Sequence, residues 1–275
     1  MKDNDNKDVD FVDLRDGEHD RPPMKEPCKM KVSAIVAICV VAVVLLAGAQ
    51  LAFGFFFGGS HGNLPAGGSS FATSQVSELD LRFANRHIEV VAHGASDIRV
   101  DFVPPSWGNY TRPNYELANG RLRIYDQRGT GISILGFGNS GGGRVIVSVP
   151  ADWAVISGLD AVTVRTTNGS IDVQGIAAGG SITINTTNGR INLRQITANG
   201  NLSARSTNGR VEADNINAFG DLELRTTNGA LALSDSWVGG RLTARTTNGA
   251  INITNVDADI AGADIRTTNG RTTIH

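Results

Sequence analysis

The chain has 275 residues, of which 40% are hydrophobic, and this is enough apolar material to bury a sizeable core. Its formal net charge of −2 argues against proteins that bind nucleic acid through bulk positive charge, so we expect no nucleic-acid partner. Its two cysteines, Cys28 and Cys39, lie near the N-terminus, which excludes disulfides and thiolate metal ligands from the remainder of the chain.

Residues 1–31 are predicted to be a disordered cytoplasmic leader. The segment is polar, contains prolines and shows no hydrophobic periodicity. It also carries all five lysines of the chain, and no charged residue follows Lys31 until Glu78. The positive-inside rule therefore places the N-terminus in the cytoplasm and everything after the membrane segment outside it.

Residues 32–57 are predicted to be a single transmembrane α-helix, because only Ser33 and Gln50 interrupt an apolar run. A helix of this length reaches about 39 Å and crosses a hydrocarbon core of about 30 Å with tilt. Residues 47–49 resemble a cleavage site, so a cleaved signal peptide is the alternative; the long charged leader favours the anchor. We therefore expect a single-pass membrane protein whose C-terminal part lies in the envelope or at the cell surface.

Two segments separate the membrane helix from the regular part of the sequence. Residues 58–74 are rich in glycine and serine and are predicted to be a flexible stem. Residues 75–160 show strand-like alternation with irregular spacing, as in Leu79-Asp80-Leu81. We interpret residues 75–160 as irregular coils of the architecture that follows, with inserted loops.

The most regular feature of the sequence occupies residues 161–275. The tetrapeptide Thr-Thr-Asn-Gly occurs five times, and Ser-Thr-Asn-Gly once, at intervals of about twenty residues. Units of this size cannot bury a core alone. In solenoids they stack on their neighbours and bury a core together. Aliphatic residues alternate with polar ones before and after each tetrapeptide, which predicts two strands per unit.

The Asn-Gly pair of each tetrapeptide is predicted to form the corner between these strands, because both residue types tolerate positive φ. Asn-Gly also commonly joins antiparallel hairpins, which would pair the strands within one unit. Identical corners at a fixed period favour instead a parallel β-helix of about twenty residues per coil. The corner asparagines then stack as a structural ladder, formed by Asn168, Asn188, Asn208, Asn228, Asn248 and Asn269.

These motifs resemble a bacterial family of unknown function labelled "putative adhesin", whose β-strand repeats carry T-x-N-G corners. The resemblance covers about residues 75–275, including RVIVSVPADWAVISGLDAVTVRTTNGSIDV, where a valine-rich strand leads into the first unit. It implies an all-β fold with a right-handed parallel β-helix and an envelope-associated location. It implies neither a catalytic site nor a particular ligand.

Arginines provide the first candidate binding surface. The outward position before each tetrapeptide is arginine in every unit except one, which has Asn185. The predicted ligand-binding arginines are Arg165, Arg205, Arg225, Arg245 and Arg266. Guanidinium groups match carboxylate and phosphate geometry, so the predicted partner is an anionic glycan or wall polymer. A solubilising surface, partly neutralised by Glu223 and Asp264, is the alternative.

Aromatic residues provide a second candidate surface. Trp107, Tyr110 and Tyr115 lie close together in one predicted loop. Such a cluster forms either a platform on which a sugar stacks or an anchor that holds the loop on the scaffold.

No enzymatic activity, cofactor or metal site is predicted. We find neither paired carboxylates with a consistent inward geometry nor a nucleophile motif. His87, Glu89 and His93 are spaced too loosely to indicate metal ligands.

Two functional interpretations remain. The favoured one is a membrane-anchored extracytoplasmic module with adhesin-like binding of cell-envelope or surface polymers. The alternative is a structural or envelope-stress-sensing spacer without a small-molecule ligand. The strand edge at the last coil additionally predicts homo-association through that edge.

Overall fold

The structure is a computed structural model that describes residues 59–106, 110–126, 142–151, 158–260 and 262–275. The predicted leader, residues 1–31, and the predicted membrane helix, residues 32–57, lie outside this part of the chain. Within the described residues, no helix combines the length and apolar character needed to cross a membrane.

The described residues form twenty β-strands and one 3-10 turn, Thr73–Gln75, and they contain no α-helix. The N-terminal strands are β1 (Ser60–Asn63), β2 (Ser69–Ala72), β3 (Glu78–Arg82), β4 (His87–His93), β5 (Asp97–Val103), β6 (Asn114–Ala118), β7 (Arg121–Tyr125) and β8 (Arg144–Pro150). The strands of the repeat region are β9 (Leu159–Arg165), β10 (Ile171–Gln174), β11 (Ala177–Asn185), β12 (Ile191–Ala198), β13 (Leu202–Arg205), β14 (Val211–Ala218), β15 (Leu222–Arg225), β16 (Leu231–Val238), β17 (Leu242–Thr246), β18 (Ile251–Asp257), β19 (Asp264–Thr267) and β20 (Thr272–Ile274). The predicted all-β fold is confirmed.

The strands build two long ladders, which we call face 1 and face 2. In spatial order, face 1 contains β1, β6, β7, β3, β9, β11, β13, β15, β17 and β19. Face 2 contains β2, β5, β8, β4, β10, β12, β14, β16, β18 and β20. From β7 and β8 onwards every pairing along a face is parallel. β11 joins both faces, because its first two residues pair with β12 and its later residues pair with β9 and β13.

Successive coils pair with their counterparts one repeat apart. Ile171 lies opposite Ile191 on face 2, and Ile191 lies opposite Val211. On face 1, Leu202 lies opposite Leu222. This register confirms a parallel β-solenoid of about twenty residues per coil, and it excludes hairpins within the repeats.

The core lies between the two faces and consists of aligned aliphatic side chains. One such line on face 1 is at most 1% exposed, and it comprises Val162, Ile182, Leu202, Leu222 and Leu242. Because side chains alternate along a strand, the residues between these buried positions point to solvent. Each buried aliphatic side chain contributes about 1.5–3 kcal/mol, and stacking buries both edges of a coil at once.

The glycine of each tetrapeptide is required by close contact between coils, which corrects the prediction of positive φ at the Asn-Gly corner. No asparagine or glycine of the six tetrapeptides has positive φ. A Cβ atom at Gly209 would overlap the carbonyl oxygen of Gly189 in the preceding coil. Positive φ occurs instead at a second corner of each coil, at Gly175, Gln195, Asn215, Asp235 and Asn255.

The first residue of each tetrapeptide bonds to the neighbouring coil, and it is buried in all of them except the last, where Thr267 is partly buried. Thr226 is 4% exposed, and its Oγ1 donates to the carbonyl oxygen of Gly209 at 2.9 Å. Thr246 makes the same bond to Gly229, also at 2.9 Å. The hydroxyl therefore satisfies a carbonyl group that the close approach of the glycines has shielded from water.

The corner asparagines form a hydrogen-bonded line along the solenoid. Asn188 Nδ2 donates to Asn168 Oδ1 at 2.6 Å, and the contact repeats at 2.6–2.7 Å as far as Asn269. Asn168 donates in turn to Asn85 at 2.5 Å, so the line extends into the coil formed by β3 and β4.

The irregular N-terminal coils do not stack in chain order. On face 1, β3 lies between β7 and β9, and on face 2, β4 lies between β8 and β10. The coil of β3 and β4 is therefore interior, and the later coil of β7 and β8 covers it. The sequence did not predict this order, because alternation within a strand carries no information about which strand becomes its neighbour.

Residues 58–74 contain two strands where a flexible stem was predicted. β1 pairs antiparallel with β6, and β2 pairs antiparallel with β5. Leu64 and Phe71 are buried, and these two apolar side chains hold a segment whose glycine and serine content is otherwise typical of a linker. The antiparallel strands occupy the N-terminal end of both faces.

Arg86 occupies the corner position of the β3–β4 coil that glycine occupies in the repeats. Its side chain is fully buried, and Nε donates to Asp126 Oδ1 at 2.5 Å. A second nitrogen, Nη2, donates to the carbonyl oxygen of Thr111 at 2.6 Å, and the guanidinium lies 4.7 Å from the ring centre of Phe102. Arg86 thereby joins the segments that follow β5 and β7 to the coil of β3 and β4.

Candidate functional site

The predicted ligand-binding arginines lie in one line on the outer surface of face 1, which we call the arginine file. Each member follows an inward-facing apolar residue of its strand, so strand alternation directs it to solvent. In spatial order the members are Arg82, Arg165, Arg205, Arg225, Arg245 and Arg266, with Asn185 between the second and third.

Arg82 is a member of the arginine file that the sequence analysis missed. It lies directly opposite Arg165 in the register between β3 and β9. The signal was present in the alternation of Leu79 and Leu81 ahead of it, but no tetrapeptide follows to mark the position.

Carboxylates on the same surface pair with most of the arginine file. Glu223 Oε2 lies 2.5 Å from Nη2 of Arg205, and Glu223 Oε1 lies 3.9 Å from Nη1 of Arg225. Asp264 lies between Arg245 and Arg266 and pairs with both; its distance to Arg266 Nε is 2.7 Å. Each of these two acids is thus shared by two arginines on neighbouring coils.

The arginine file retains a positive surplus after this pairing. Six arginines face three carboxylates, Asp80, Glu223 and Asp264, which leaves 6 − 3 = 3 positive charges along the line. The Arg205 and Arg225 side chains are about half exposed, and exposed ion pairs stabilise by no more than about 1 kcal/mol. An incoming anion can therefore compete with Glu223 for these two guanidinium groups at little energetic cost.

Arg165 has a different environment from the rest of the arginine file. Among the described residues it forms no ion pair. Two positions earlier on its own strand lies Thr163, which has Asp80 of β3 on one side and Thr183 of β11 on the other. Asn185 lies beside it in the line. Arg165 therefore has hydroxyl and amide neighbours on the side of β11, and it adjoins the ion pair of Arg82 and Asp80 on the side of β3.

A surface depression of about 410 Å³ lies beside the N-terminal end of the arginine file. Its charged lining residues are Glu78, Asp80, Glu116, Arg82, Arg121 and Arg123. Arg121 Nε donates to Glu78 Oε2 at 2.6 Å, and this hydrogen bond raises the pKa of Arg121 above its usual value. Acids and arginines are balanced here, so the depression attracts polyanions less than the arginine file does.

The predicted aromatic loop does not form a shared platform in the part of it that the structure describes. Trp107 lies outside the described residues. Tyr110 packs against Phe102 with ring centres 5.7 Å apart, whereas Tyr115 belongs to β6 and meets Phe71 edge-on at 5.3 Å. The two tyrosines thus contact different core residues, and their arrangement fits the anchoring interpretation.

His87, Glu89 and His93 have separate partners. His87 lies between Ser170 Oγ, 2.6 Å from Nδ1, and Asp172 Oδ2, 3.3 Å from Nε2. His93 Nε2 lies 2.6 Å from the carbonyl oxygen of Asp97. The contacts of His87 connect β4 to the start of β10 on the outer surface of face 2. In the described residues, no three acidic, histidine or cysteine side chains converge as metal ligands would.

Comparisons with known proteins identify the family of this fold. A family model described as Toastrack DUF4097 matches residues 76–275, which agrees with the predicted resemblance to a bacterial family of unknown function. No curated protein matches the chain. A solved structure described as a "putative cell adhesion protein" from Clostridium sporogenes aligns with a TM-score of 0.37 and 9% identity, covering 78% of this chain and 97% of that one.

Proposed function

The chain belongs to the Toastrack DUF4097 family, and from this premise we propose that it is a membrane-anchored, extracytoplasmic module with adhesin-like binding of anionic envelope polymers. The observation that carries the proposal is the arginine file, a line of guanidinium groups in register on consecutive coils. The binding surface is the outer side of face 1.

The geometry of the arginine file suits a polymer better than a small molecule. Neighbouring coils are about 4.8 Å apart, so successive arginines present the same group at short, regular intervals. Carboxylates or phosphates repeated along a polymer chain engage several of these groups at once, and each contact adds to the same binding event. Isolated monomers lose this advantage.

The proposed location rests on the apolar segment at residues 32–57 and on the lysines before it. In this arrangement the leader is cytoplasmic and the solenoid is external, where wall and surface polymers are found. We also propose a right-handed coil, because parallel strands in one sheet are joined by right-handed connections in about 98% of cases. Digestion of intact cells by added protease tests the orientation, since the repeat region should be cleaved while the leader survives.

Binding of polyanions by the full-length protein in detergent micelles tests the proposed function. The triple variant Arg205→Gln, Arg225→Gln, Arg245→Gln should bind polygalacturonate and poly(glycerol phosphate) at least about ten-fold more weakly than the wild type. Binding by the wild type should also weaken as salt is added, since exposed charges are screened.

A matched variant separates the arginine file from net charge. The control is the triple variant Arg190→Gln, Arg194→Gln, Arg210→Gln, which removes the same number of charges from face 2. Arg194 lies in β12, Arg190 precedes β12 and Arg210 precedes β14. This control should keep wild-type affinity. Equal losses of affinity in both triple variants would show that binding depends only on net charge. Unchanged affinity in the variant of Arg205, Arg225 and Arg245 would reject the proposal.

The spacer interpretation has one observation in its favour, namely that Glu223 and Asp264 already pair with four of the arginines. A spacer needs a soluble and rigid surface, and shared acids provide it without any ligand. It predicts that deletion of the cytoplasmic leader changes envelope phenotypes, whereas the variants of the arginine file do not.

A further inference from the structure

Two exposed aromatic residues lie on a side of the solenoid that neither the tetrapeptide nor the arginine file occupies. Phe219 and Trp237, which we call the aromatic pair, belong to adjacent coils. Phe219 directly follows β14, and Trp237 is the residue before the last one of β16. Their neighbours in sequence, Ala218 and Val238, are buried. Alternation therefore fixes both aromatic side chains outward.

The rings of the aromatic pair hold each other in place without a ligand. Their centres are 5.0 Å apart with an interplanar angle of 67°, an edge-to-face arrangement. Gly239 allows this placement, because a Cβ atom there would lie 2.8 Å from Cη2 of the Trp237 ring. The Trp237 ring thus lies against bare backbone, and its position is set by the scaffold.

Folding does not account for the exposure of these rings. Phe219 is 56% exposed and Trp237 is 37% exposed, whereas the equivalent outward positions of the neighbouring coils carry small or polar side chains. Those side chains are Thr197, Asn199, Asn217, Asp257 and Asp259. A contiguous apolar surface that the fold does not need is typical of a contact site.

The polar groups around the aromatic pair define the chemistry of its ligand. Trp237 lies opposite Asn217 in the preceding coil and opposite Asp257 in the following one. None of the outward residues at the positions equivalent to Phe219 and Trp237 in the described coils is basic. Amide and carboxylate groups beside an exposed ring provide acceptors and donors for hydroxyl groups, while the carboxylates repel phosphate and sulfate.

We propose that the aromatic pair, with Asn217 and Asp257, binds an uncharged polysaccharide at a site separate from the arginine file. The apolar face of a pyranose ring stacks on Trp237 or Phe219, and its hydroxyl groups bond to the flanking amide and carboxylate. A second copy of the chain fits this surface less well, because self-association would bring Asp257 and Asp259 of two molecules together. The site extends the proposed binding of envelope polymers to a second ligand class, yet it does not depend on the arginine file.

Titration of the full-length protein in detergent micelles with cellohexaose and chitohexaose tests the inference. Phe219→Ala and Trp237→Ala should each weaken binding by about ten-fold or more, and Trp237→Phe should retain most of it, since stacking needs a ring. Tyr110→Ala, which removes another exposed aromatic residue, is the matched control and should bind as the wild type does. Thermal unfolding of every variant shows whether the fold is preserved.

Cross-testing of the two sets of variants keeps this inference independent of the proposed function. The triple arginine variant should bind both hexasaccharides normally, and the aromatic variants should bind polygalacturonate normally. The inference is overturned if the wild type binds neither hexasaccharide, or if folded aromatic variants bind as well as the wild type. It is also overturned if sedimentation shows a wild-type dimer that Trp237→Ala abolishes.

Discussion

The buried hydroxyl at the start of the first five tetrapeptides performs a task that no aliphatic side chain can perform. Thr226 lies in a tightly packed corner and supplies the hydrogen bond to the carbonyl oxygen of Gly209. The following residue, Thr227, is exposed on the same corner. The two adjacent threonines of one motif therefore differ in how much stability is lost when the hydroxyl group is removed.

Thr226→Val should lower the free energy of unfolding by about 1–2 kcal/mol, because it leaves a shielded carbonyl without its partner while the volume is nearly unchanged. Urea unfolding followed by circular dichroism measures the change. Thr227→Val is the matched control and should stay within about 0.5 kcal/mol of the wild type. Equal effects of the two substitutions would contradict the role assigned to the buried hydroxyl.

Sequence reasoning at the residue scale located the outward and inward positions but not the function of individual corner residues. Strand alternation was sufficient to place Arg205 outward and Leu202 inward, because it depends only on chain geometry. The need for Gly209 arises from the carbonyl oxygen of Gly189 in another coil, and no local pattern shows such a contact. The aromatic pair was missed for a similar reason, since Phe219 and Trp237 are eighteen residues apart in sequence and meet only across coils.

At the scale of the strand and its corners, two of the corners in each coil are formed in different ways. The tetrapeptide corner uses close packing of glycine against the preceding coil, whereas the corner at Gln195 uses a left-handed backbone conformation. Its φ of 53° is one that non-glycine residues adopt at a cost of about 1–2 kcal/mol. Gly175 takes the same conformation without that cost.

Gln195→Gly should therefore raise the free energy of unfolding by about 0.5 kcal/mol. The substitution relieves the strain of the left-handed conformation, and the greater chain entropy of glycine in the unfolded state offsets part of that gain. Gln174→Gly is the matched control, because Gln174 lies in β10 and has no positive φ. There the same substitution should lower stability by about 0.5–1 kcal/mol. Chemical denaturation of the two variants gives the comparison, and a loss of stability in both would contradict the strain argument.

The two corners also show which elements the sequence defines. A recurring Asn-Gly marks a corner clearly, but the second corner carries Gly, Gln, Asn, Asp and Asn in successive coils and has no fixed signature. Its conformation is imposed by the pairing of the two parts of one strand on either side of it, as in β12, where residues 191–194 and 196–198 both pair with β14. Likewise β1 and β2 lie in a segment whose composition is that of a linker, and only their pairing with β6 and β5 makes them strands.

At the scale of the whole molecule, the solenoid is a stack in which each coil contacts only its neighbours. The repeat period alone predicted this arrangement, and the register of every regular coil follows from it. The order of the N-terminal coils did not follow, because the coil of β7 and β8 returns past the coil of β3 and β4 and covers it. That choice depends on pairing energies between distant segments.

Removal of residues 207–226, one complete coil, should leave a folded protein. The deletion joins Ser206 to Thr227, restores a Ser-Thr-Asn-Gly corner and brings Leu202 opposite Leu242 with both still inward. Circular dichroism should show the same β-sheet signal per residue, and the denaturant dependence of unfolding should fall because less surface is buried.

A deletion of half a coil provides the control for this experiment. Removal of residues 207–216 joins Ser206 to Asn217 and destroys the corner, so the following strands lose their register with the preceding coil. This shorter deletion should be more damaging than the longer one. A folded product of the half-coil deletion would show that the stack tolerates slippage and would contradict the register argument.

The alignment of ladder hydrogen bonds along the stack has a mechanical consequence. A pull on the two ends of the solenoid loads these bonds one coil at a time, as in opening a zipper, and does not shear all of them together. Each coil that peels away releases about 60 Å of slack chain, since twenty extended residues span far more than the distance between coils. A solenoid built in this way extends under force in successive small steps, and the coils that remain stay folded.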